Sequence, residues 1–170
     1  MLRRSALLSL AALVLLSACS RSEHKPPAPG SRTPAAIWGD VLGQRNNIHL
    51  GFVKELEEVT HKDCADVGAS AHRLDDLLSE LMNTLGATIS DRGQLRSIGD
   101  AASRLNSVVS QIRESALAES PGAWPELRFP LDFALYQMEQ IVSPGVLGPD
   151  SVTSCPGFET KPLPRPPSPV

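Results

Sequence analysis

The sequence predicts an all-α protein, built as an antiparallel four-helix bundle, and three observations lead to this prediction. Apolar residues recur at intervals of three and four, and no segment keeps the period of two that strands require. Positions 35–120 contain no proline, so long helices can run there without interruption. Aromatic residues make up 4% of the chain, which disfavours a sandwich or a barrel. The length of 170 residues suits a single domain.

The first predicted helix has a clear apolar stripe, but its end can be placed in two ways. Thr60 to Asp63 has the composition of a helix start, which would separate the first helix from the second. Alternatively, Asn46-Asn47 is the break, and one continuous helix runs from about residue 48 to 86. Four helices, with the break near residue 60, are the preferred prediction. The stripe consists of Trp38, Val41, Leu42, Ile48, Phe52, Leu56 and Val59.

The second and third helices have the most regular patterns in the chain. Gly86 suits the end of the second helix, and the Ser90-Asp91 pair suits the N-cap of the third. The second stripe consists of Val67, Ala71, Leu74, Leu78, Leu81 and Leu85. The third consists of Leu95, Ile98, Ala102, Leu105, Val109, Ile112 and Ala116.

A shorter fourth helix follows a break at Ser120-Pro121-Gly122, which ends the third. Pro130 suits its first turn, and Ser143-Pro144-Gly145 stops it. Trp38 and Trp124 are expected to anchor the ends of the bundle. The fourth stripe consists of Leu131, Leu135, Met138 and either Ile141 or Val142.

The first nineteen residues have the organisation of an export signal. Two arginines precede an apolar run over residues 6–16, and eleven residues are too few to span a bilayer core as a helix. The run ends in Leu16-Ser17-Ala18-Cys19, which resembles the lipobox of bacterial lipoproteins. This resemblance implies cleavage before Cys19 and attachment of diacylglycerol to its thiol. Lipid would then hold the mature chain at a membrane without a transmembrane helix.

The residue after the lipobox cysteine bears on location. In enteric-type bacteria an aspartate at this position favours retention in the inner membrane, and this chain has Ser20 there. The resemblance therefore favours the periplasmic face of the outer membrane. Without residues 1–18 the mature chain carries 14 basic and 19 acidic residues, a formal charge of −5. No basic patch is present, so we expect an envelope protein and not a nucleic acid as the partner.

Composition also divides the chain into segments. Residues 1–18 form the signal peptide, residues 19–34 the lipidated cysteine and a flexible tether, and residues 35–143 the helical domain. Residues 144–170 hold eight of the fifteen prolines. Because proline lacks an N–H group, this tail is predicted to be a loop that becomes disordered after about residue 160.

The cysteines other than Cys19 predict a disulfide. Export would place Cys64 and Cys155 in an oxidising compartment, where one intramolecular pairing is available. The bond would clasp the tail onto the bundle and, for a loop of about ninety residues, would stabilise the fold by on the order of 4 kcal/mol. Free thiols, a metal ligand or an intermolecular bond are the alternatives.

His61 is the centre of a metal-site hypothesis. If the first two helices are continuous, Glu57, His61, Cys64 and His72 share one face, with donors that suit Cu or Zn. His61 and His72 lie eleven residues apart, about 16 Å along a helix, so they cannot share one ion. A site would therefore need a ligand from another helix. Histidines on a polar face, with no metal, are the preferred interpretation.

Motifs of catalysis are absent from the sequence. It contains no G-x-S-x-G, no H-E-x-x-H, no glycine-rich phosphate loop and no C-x-x-C-H for haem. We therefore expect no enzyme and no cofactor, but a non-enzymatic interaction or scaffolding module. Binding of Cu or Zn through His61 and its neighbours is the alternative function.

A looser resemblance covers about residues 37–142. The V-x-H motif at Val59-Thr60-His61, followed by Leu74 and Leu77-Leu78, resembles small exported helical proteins of unassigned function. The resemblance implies a helical domain and no particular activity.

Overall fold

The computed structural model describes residues 32–142 and 145–158, and every regular element in these ranges is helical. The four helices are α1 (Pro34–Phe52), α2 (His61–Thr88), α3 (Arg92–Leu117) and α4 (Trp124–Ile141). Three short 3-10 turns lie at Leu56–Glu58, Pro121–Ala123 and Val152–Ser154. The prediction of an all-α fold with four helices packed on each other is confirmed. None of the described helices has the length and apolar character needed to cross a bilayer.

The break between α1 and α2 lies at residues 53–60, so the alternative of one continuous helix is wrong. α1 continues through both asparagines of the proposed break and ends at Phe52. A capping box starts α2: the Asp63 N–H donates to Thr60 Oγ1 at 3.2 Å, and the Thr60 N–H donates to Asp63 Oδ2 at 2.9 Å. Leu56 lies in the intervening turn and is exposed, so it does not extend the apolar stripe of α1.

The predicted N-cap of α3 is confirmed. Asp91 Oδ1 accepts hydrogen bonds from the N–H groups of Gly93 at 2.7 Å and Gln94 at 3.1 Å. α2 ends at Thr88, which is two residues beyond the predicted stop at Gly86. A glycine inside a helix is tolerated at modest cost, so it does not by itself end one.

The start of α4 differs from the prediction. The helix begins at Trp124, and Pro125 takes the first-turn position, where a missing N–H leaves no intrahelical bond unmade. Pro130, which was expected in that turn, therefore lies inside the helix. Trp124 itself is buried in the core, and its Nε1–H donates to Ser115 Oγ of α3 at 3.0 Å.

The hydrophobic core includes residues from beyond the four helices. Leu147 and Val152 belong to the same buried cluster as the core residues of α1 to α4. The packed unit therefore extends past the predicted domain boundary at residue 143. Residues 145–158 are termed the strap. The signal, Cys19, most of the tether and the tail predicted to be disordered after about residue 160 lie outside the described residues.

The strap lies along the seam between α1 and α4, two helices that make few direct contacts with each other. A Cβ atom at Gly148 would lie 3.0 Å from Ala35 Cβ, at the start of α1, and the φ angle of Gly148 is +78°. Glycine is therefore required at this close approach. Further along the strap, the Val152 N–H donates to Glu139 Oε2 of α4 at 3.0 Å.

Candidate functional site

The end of α1, the start of α2 and the end of α3 meet at one end of the molecule. A Cβ atom at Gly51 would lie 2.3 Å from Val67 Cγ2 and 3.6 Å from the Trp124 ring. A Cβ atom at Gly68 would lie 3.5 Å from Ala116 Cβ. Residues 50–70 and 113–126, which form this region, are termed the open end.

Exposed apolar side chains are concentrated at the open end. Within the described residues, the exposed large hydrophobic side chains are Leu50, Val53, Leu56 and Leu117, with 67%, 60%, 53% and 77% of their surface exposed. Since the other large apolar side chains in the described residues are buried or half-buried, this grouping is not a general property of the surface. Grouped exposed apolar residues mark surfaces that bind another molecule.

A cavity of about 530 Å³ lies between α2 and α3 at the open end. Its lining includes the charged or polar side chains of His61, His72, Arg113 and Glu119, together with Leu117. The other lining residues are small, so the cavity has room for bulky apolar groups of a ligand. These residues are Cys64, Ala65, Gly68, Ala69 and Ala116.

A second cavity, of about 470 Å³, lies on the other side of α2, against the end of α1. Leu50 and Lys54 line it from α1 and the following turn, and Asp63 and Asp66 line it from α2. The first half of α2 is therefore flanked by a recess on both sides.

The structure divides the three predicted metal ligands between two elements. Glu57 lies in the 3-10 turn before α2, whereas His61 begins α2, and His61 Nδ1 lies 2.7 Å from Glu119 Oε1. His72 lines the same cavity as His61, further along α2. In the two described ranges no three His, Cys, Asp or Glu residues are close enough to hold a metal ion. The shared face that the metal hypothesis required from Glu57 to His72 is not formed, because the helix is interrupted.

The predicted disulfide is not formed, and Cys64 and Cys155 are both free thiols. Cys64 lines the α2–α3 cavity, where burial and the nearby Glu119 carboxylate raise the pKa of its thiol. Cys155 lies in the strap with its Sγ 3.8 Å from the Ser151 carbonyl oxygen, and burial raises its pKa as well. Cys64 lines the cavity between α2 and α3, whereas Cys155 lines a recess between α1 and the strap.

Arg45, His49 and Asp132 form a buried polar network that the sequence analysis did not identify. Arg45 Nε and Nη2 each donate to a carboxylate oxygen of Asp132 at 2.8 Å, in a bidentate pair. His49 Nε2 lies 3.1 Å from Asp132 Oδ1, although this contact lacks the alignment of a full hydrogen bond. The network connects α1 directly to α4.

The same network binds the strap. Arg45 Nη1 donates to the Pro156 carbonyl oxygen at 2.7 Å, and Arg128 Nη2 donates to the Gly157 carbonyl oxygen at 2.7 Å. A Cβ atom at Gly157 would lie 2.7 Å from Arg128 Nη2, and the φ angle of +74° also favours glycine. The end of the strap is therefore held on the bundle by arginine–carbonyl hydrogen bonds, and not by the predicted disulfide.

Asp132 is ionised in this network. Burial opposes its ionisation, but the contacts with His49 and Arg45 outweigh burial and hold the pKa of the carboxyl below its usual range. A buried carboxylate beside a buried guanidinium is stable only while both partners are present. Arg45 and Asp132 therefore depend on each other.

One signal in the sequence could have revealed the network. Arg45 and His49 continue the buried face of α1 at helical spacing from Val41 and Leu42, so they interrupt an apolar stripe with polar residues. A charged residue within such a stripe is rarely buried without a partner. The partner, Asp132, lies 87 residues away, and no spacing rule connects the two.

Comparison with protein-family models, with curated proteins and with solved structures finds no match for this chain. Its function is therefore inferred from its own residues, and above all from the open end and the clasped seam.

Proposed function

We propose that this protein is a membrane-anchored envelope lipoprotein that presents its helical domain as a non-enzymatic interaction or scaffolding module. The lipobox at Leu16-Ser17-Ala18-Cys19 supports the anchor. With diacylglycerol and often a further acyl chain on Cys19, two or three fatty chains would hold the protein firmly at a membrane. Ser20 favours the periplasmic face of the outer membrane.

The observation that carries the interaction role is the open end itself. Four large apolar side chains are exposed there, next to two recesses that flank the start of α2. An exposed apolar patch beside concave surface is the ordinary form of a protein-binding site. A scaffold needs such a surface, whereas a catalytic role would need clustered reactive groups.

An antiparallel order of the four helices would direct this surface away from the anchor. Contacts between α3 and α4 support that order, since Gln94 donates to the Ile141 carbonyl oxygen at 3.1 Å while Ser115 accepts from Trp124 at 3.0 Å. At the start of α1, Arg32 Nη1 donates to Glu80 Oε2, in the second half of α2, at 3.1 Å. The tether then enters at the end of the bundle opposite the open end.

The anchor is tested by fractionation and mass spectrometry of the mature protein. We expect diacylglycerol on Cys19, and we expect Cys19→Ala to move the protein out of the membrane fraction. A mature protein that begins at another residue, without lipid, would contradict the proposal.

The interaction role is tested by crosslinking in intact cells, followed by purification from membranes. The double variant Leu50→Ala, Leu117→Ala should lose the crosslinked partner, because it removes two apolar contacts at the open end without touching the core. The control is Asp76→Asn with Asp100→Asn, two exposed positions outside the open end. Equal recovery from the wild type and the leucine variant would contradict the role.

A further inference from the structure

We propose that the open end binds a cationic, amphipathic segment of another protein. This inference rests on the proposed interaction role and assigns a chemistry to the partner. Two properties of the open end lead to it: an excess of carboxylates that lack partners, and the exposed apolar side chains next to them.

The open end has a more negative formal charge than the chain as a whole. Residues 50–70 and 113–126 carry eight carboxylates and only three Lys or Arg residues, a formal charge of −5, whereas the whole chain carries −3. A surface of one sign raises the rate and the specificity of association with a partner of the opposite sign.

The three cations of the open end already have carboxylate partners. Lys54 Nζ donates to an Asp63 oxygen at 2.7 Å, and Lys62 contacts Asp66. The third, Arg113, has a guanidinium nitrogen 3.6 Å from an Asp75 oxygen.

A cluster of carboxylates is left over after these pairs are formed. Glu55, Glu57 and Glu58 are exposed in and beside the first 3-10 turn, and they form no ion pair with any described residue. They flank Leu56, which is itself exposed. A partner that carries both positive charge and apolar side chains would pair with the glutamates of this turn and cover its exposed leucine.

The apolar part of the partner has a place to bind. Leu117 lines the α2–α3 cavity, whose small side chains leave room for bulky aliphatic groups. Burying apolar surface there would supply most of the affinity, because exposed ion pairs contribute little. The carboxylates would favour a partner of positive charge over one of negative charge.

The same charges argue against two other occupants. A second copy of this chain, packed open end to open end, would place the glutamates of the turn against each other, because a two-fold interface pairs the same patch with itself. An anionic lipid surface would be repelled for the same reason, since such membranes attract basic segments. A cationic protein segment avoids both conflicts.

The test measures binding of synthetic helical peptides to the full mature chain carrying Cys19→Ser, so that no lipid competes for the peptide. The probe is an amphipathic peptide of leucine and lysine, and its matched controls are a leucine–glutamate peptide and a serine–lysine peptide. By fluorescence anisotropy at low salt, we expect the leucine–lysine peptide to bind more tightly than either control.

Two protein variants with equal charge changes localise the effect. Glu57→Gln with Glu58→Gln should raise the Kd of the leucine–lysine peptide about tenfold, the effect of two exposed ion pairs. Asp76→Asn with Asp100→Asn should change it less than about twofold, because only screened, long-range attraction is altered. Comparable weakening in both variants, or equally tight binding of the leucine–glutamate peptide, would overturn the inference.

The outcome is separable from that of the proposed function. If a crosslinked partner depends on Leu50 and Leu117 but the leucine–lysine peptide does not bind, the inferred chemistry fails and the interaction role stands. If neither the partner nor the peptide depends on the open end, both are wrong.

Discussion

The seam between α1 and α4 differs from the open end in which groups it buries. The seam buries charged side chains, whereas the open end exposes apolar ones. In the seam, Arg45 and Asp132 are buried against each other, and the strap covers them with carbonyl groups that accept hydrogen bonds. At the open end, leucines are exposed, and the glutamates at positions 55, 57 and 58 form no ion pair with any described residue. In the seam, the charged groups are paired within the chain itself. At the open end, apolar and acidic side chains remain available to a partner.

Two leucines show the contrast at the level of one side chain. Leu147 in the strap is 4% exposed, although it lies in a proline-rich stretch, and Leu117 at the end of α3 is 77% exposed, although it lies in a regular helix. The proline-rich stretch has no periodicity that predicts the burial of Leu147, whereas Leu117 lies outside the predicted apolar stripe of α3. Leu117 therefore remains in solvent at the end of α3, and we interpret it as part of a site for a partner.

The largest effect is expected in the seam, from Asp132→Asn. The substitution leaves the Arg45 guanidinium buried without a counter-charge, which typically costs about 3–5 kcal/mol. Urea denaturation monitored by circular dichroism gives the change in the free energy of unfolding. Because this variant could be too unstable to fold, Arg45→Met with Asp132→Leu is the second variant, and it should recover part of the loss. A cost below about 1 kcal/mol for Asp132→Asn would show that the pair does not hold the seam.

The two leucines give the next largest difference. Leu147→Ala should destabilise the fold by about 2–5 kcal/mol, because it leaves a cavity under the strap. Leu117→Ala should change stability by less than about 0.5 kcal/mol, because its side chain is in solvent. Both changes are measured by thermal denaturation. Equal losses of stability in the two variants would contradict the difference in burial between the seam and the open end.

A smaller effect is expected where α1 crosses α2 beneath the open end. Gly51→Ala would place a methyl group 2.3 Å from the buried Val67 side chain, which is branched and stiff, and should cost about 1–3 kcal/mol. Gly43→Ala is the control in the same helix. No atom lies within 4 Å of its Cβ position, so it should stabilise α1 by about 0.5–1 kcal/mol. Stabilisation by both would mean that the crossing is looser than the structure indicates.

The smallest effect is the dependence of stability on pH. The pKa of Asp132 is lower in the folded protein than its unfolded value of about 3.9, so its contribution is fully present above that value. The contribution is lost as pH falls through the lower, folded pKa. The pKa of Asp63 is also lowered, by hydrogen bonds from Lys54 and Thr60, so its contribution to stability is likewise lost at acidic pH. Unfolding free energies measured from pH 5 to pH 2 should therefore fall less steeply for Asp132→Asn than for the wild type. Equal slopes would contradict the ionised state of Asp132.

Much of the fold follows from local patterns in the sequence. Apart from the half-buried Leu95, the stripes of α2 and α3 are buried as their spacing predicts, and Asp91 caps α3. These features depend on residues three or four positions apart, so a single sequence contains the information. The end of α1 and the start of α4 do not follow from local patterns alone, because a turn and a proline can each be placed in more than one register.

The seam and the open end could not be predicted, because both depend on long-range geometry. Spacing placed His61, Cys64 and His72 on one face of α2, and the structure brings all three to one cavity. It could not indicate that Glu119, 58 residues away, would contact His61. Nor could it indicate that Arg45 would bind Pro156, across 111 residues, and so replace the expected disulfide as the clasp.

The central claim is that the open end, and not the seam, contacts another protein at the envelope. Site-specific photocrosslinking tests it most directly, with a photoreactive residue placed in turn at Leu56, Leu117, Asp76 and Asp150 in cells. We predict discrete intermolecular adducts from the two open-end positions, and none from Asp76 on α2 or Asp150 in the strap. Adducts from the control positions as strong as those from Leu117, or no adduct from either leucine, would contradict the claim.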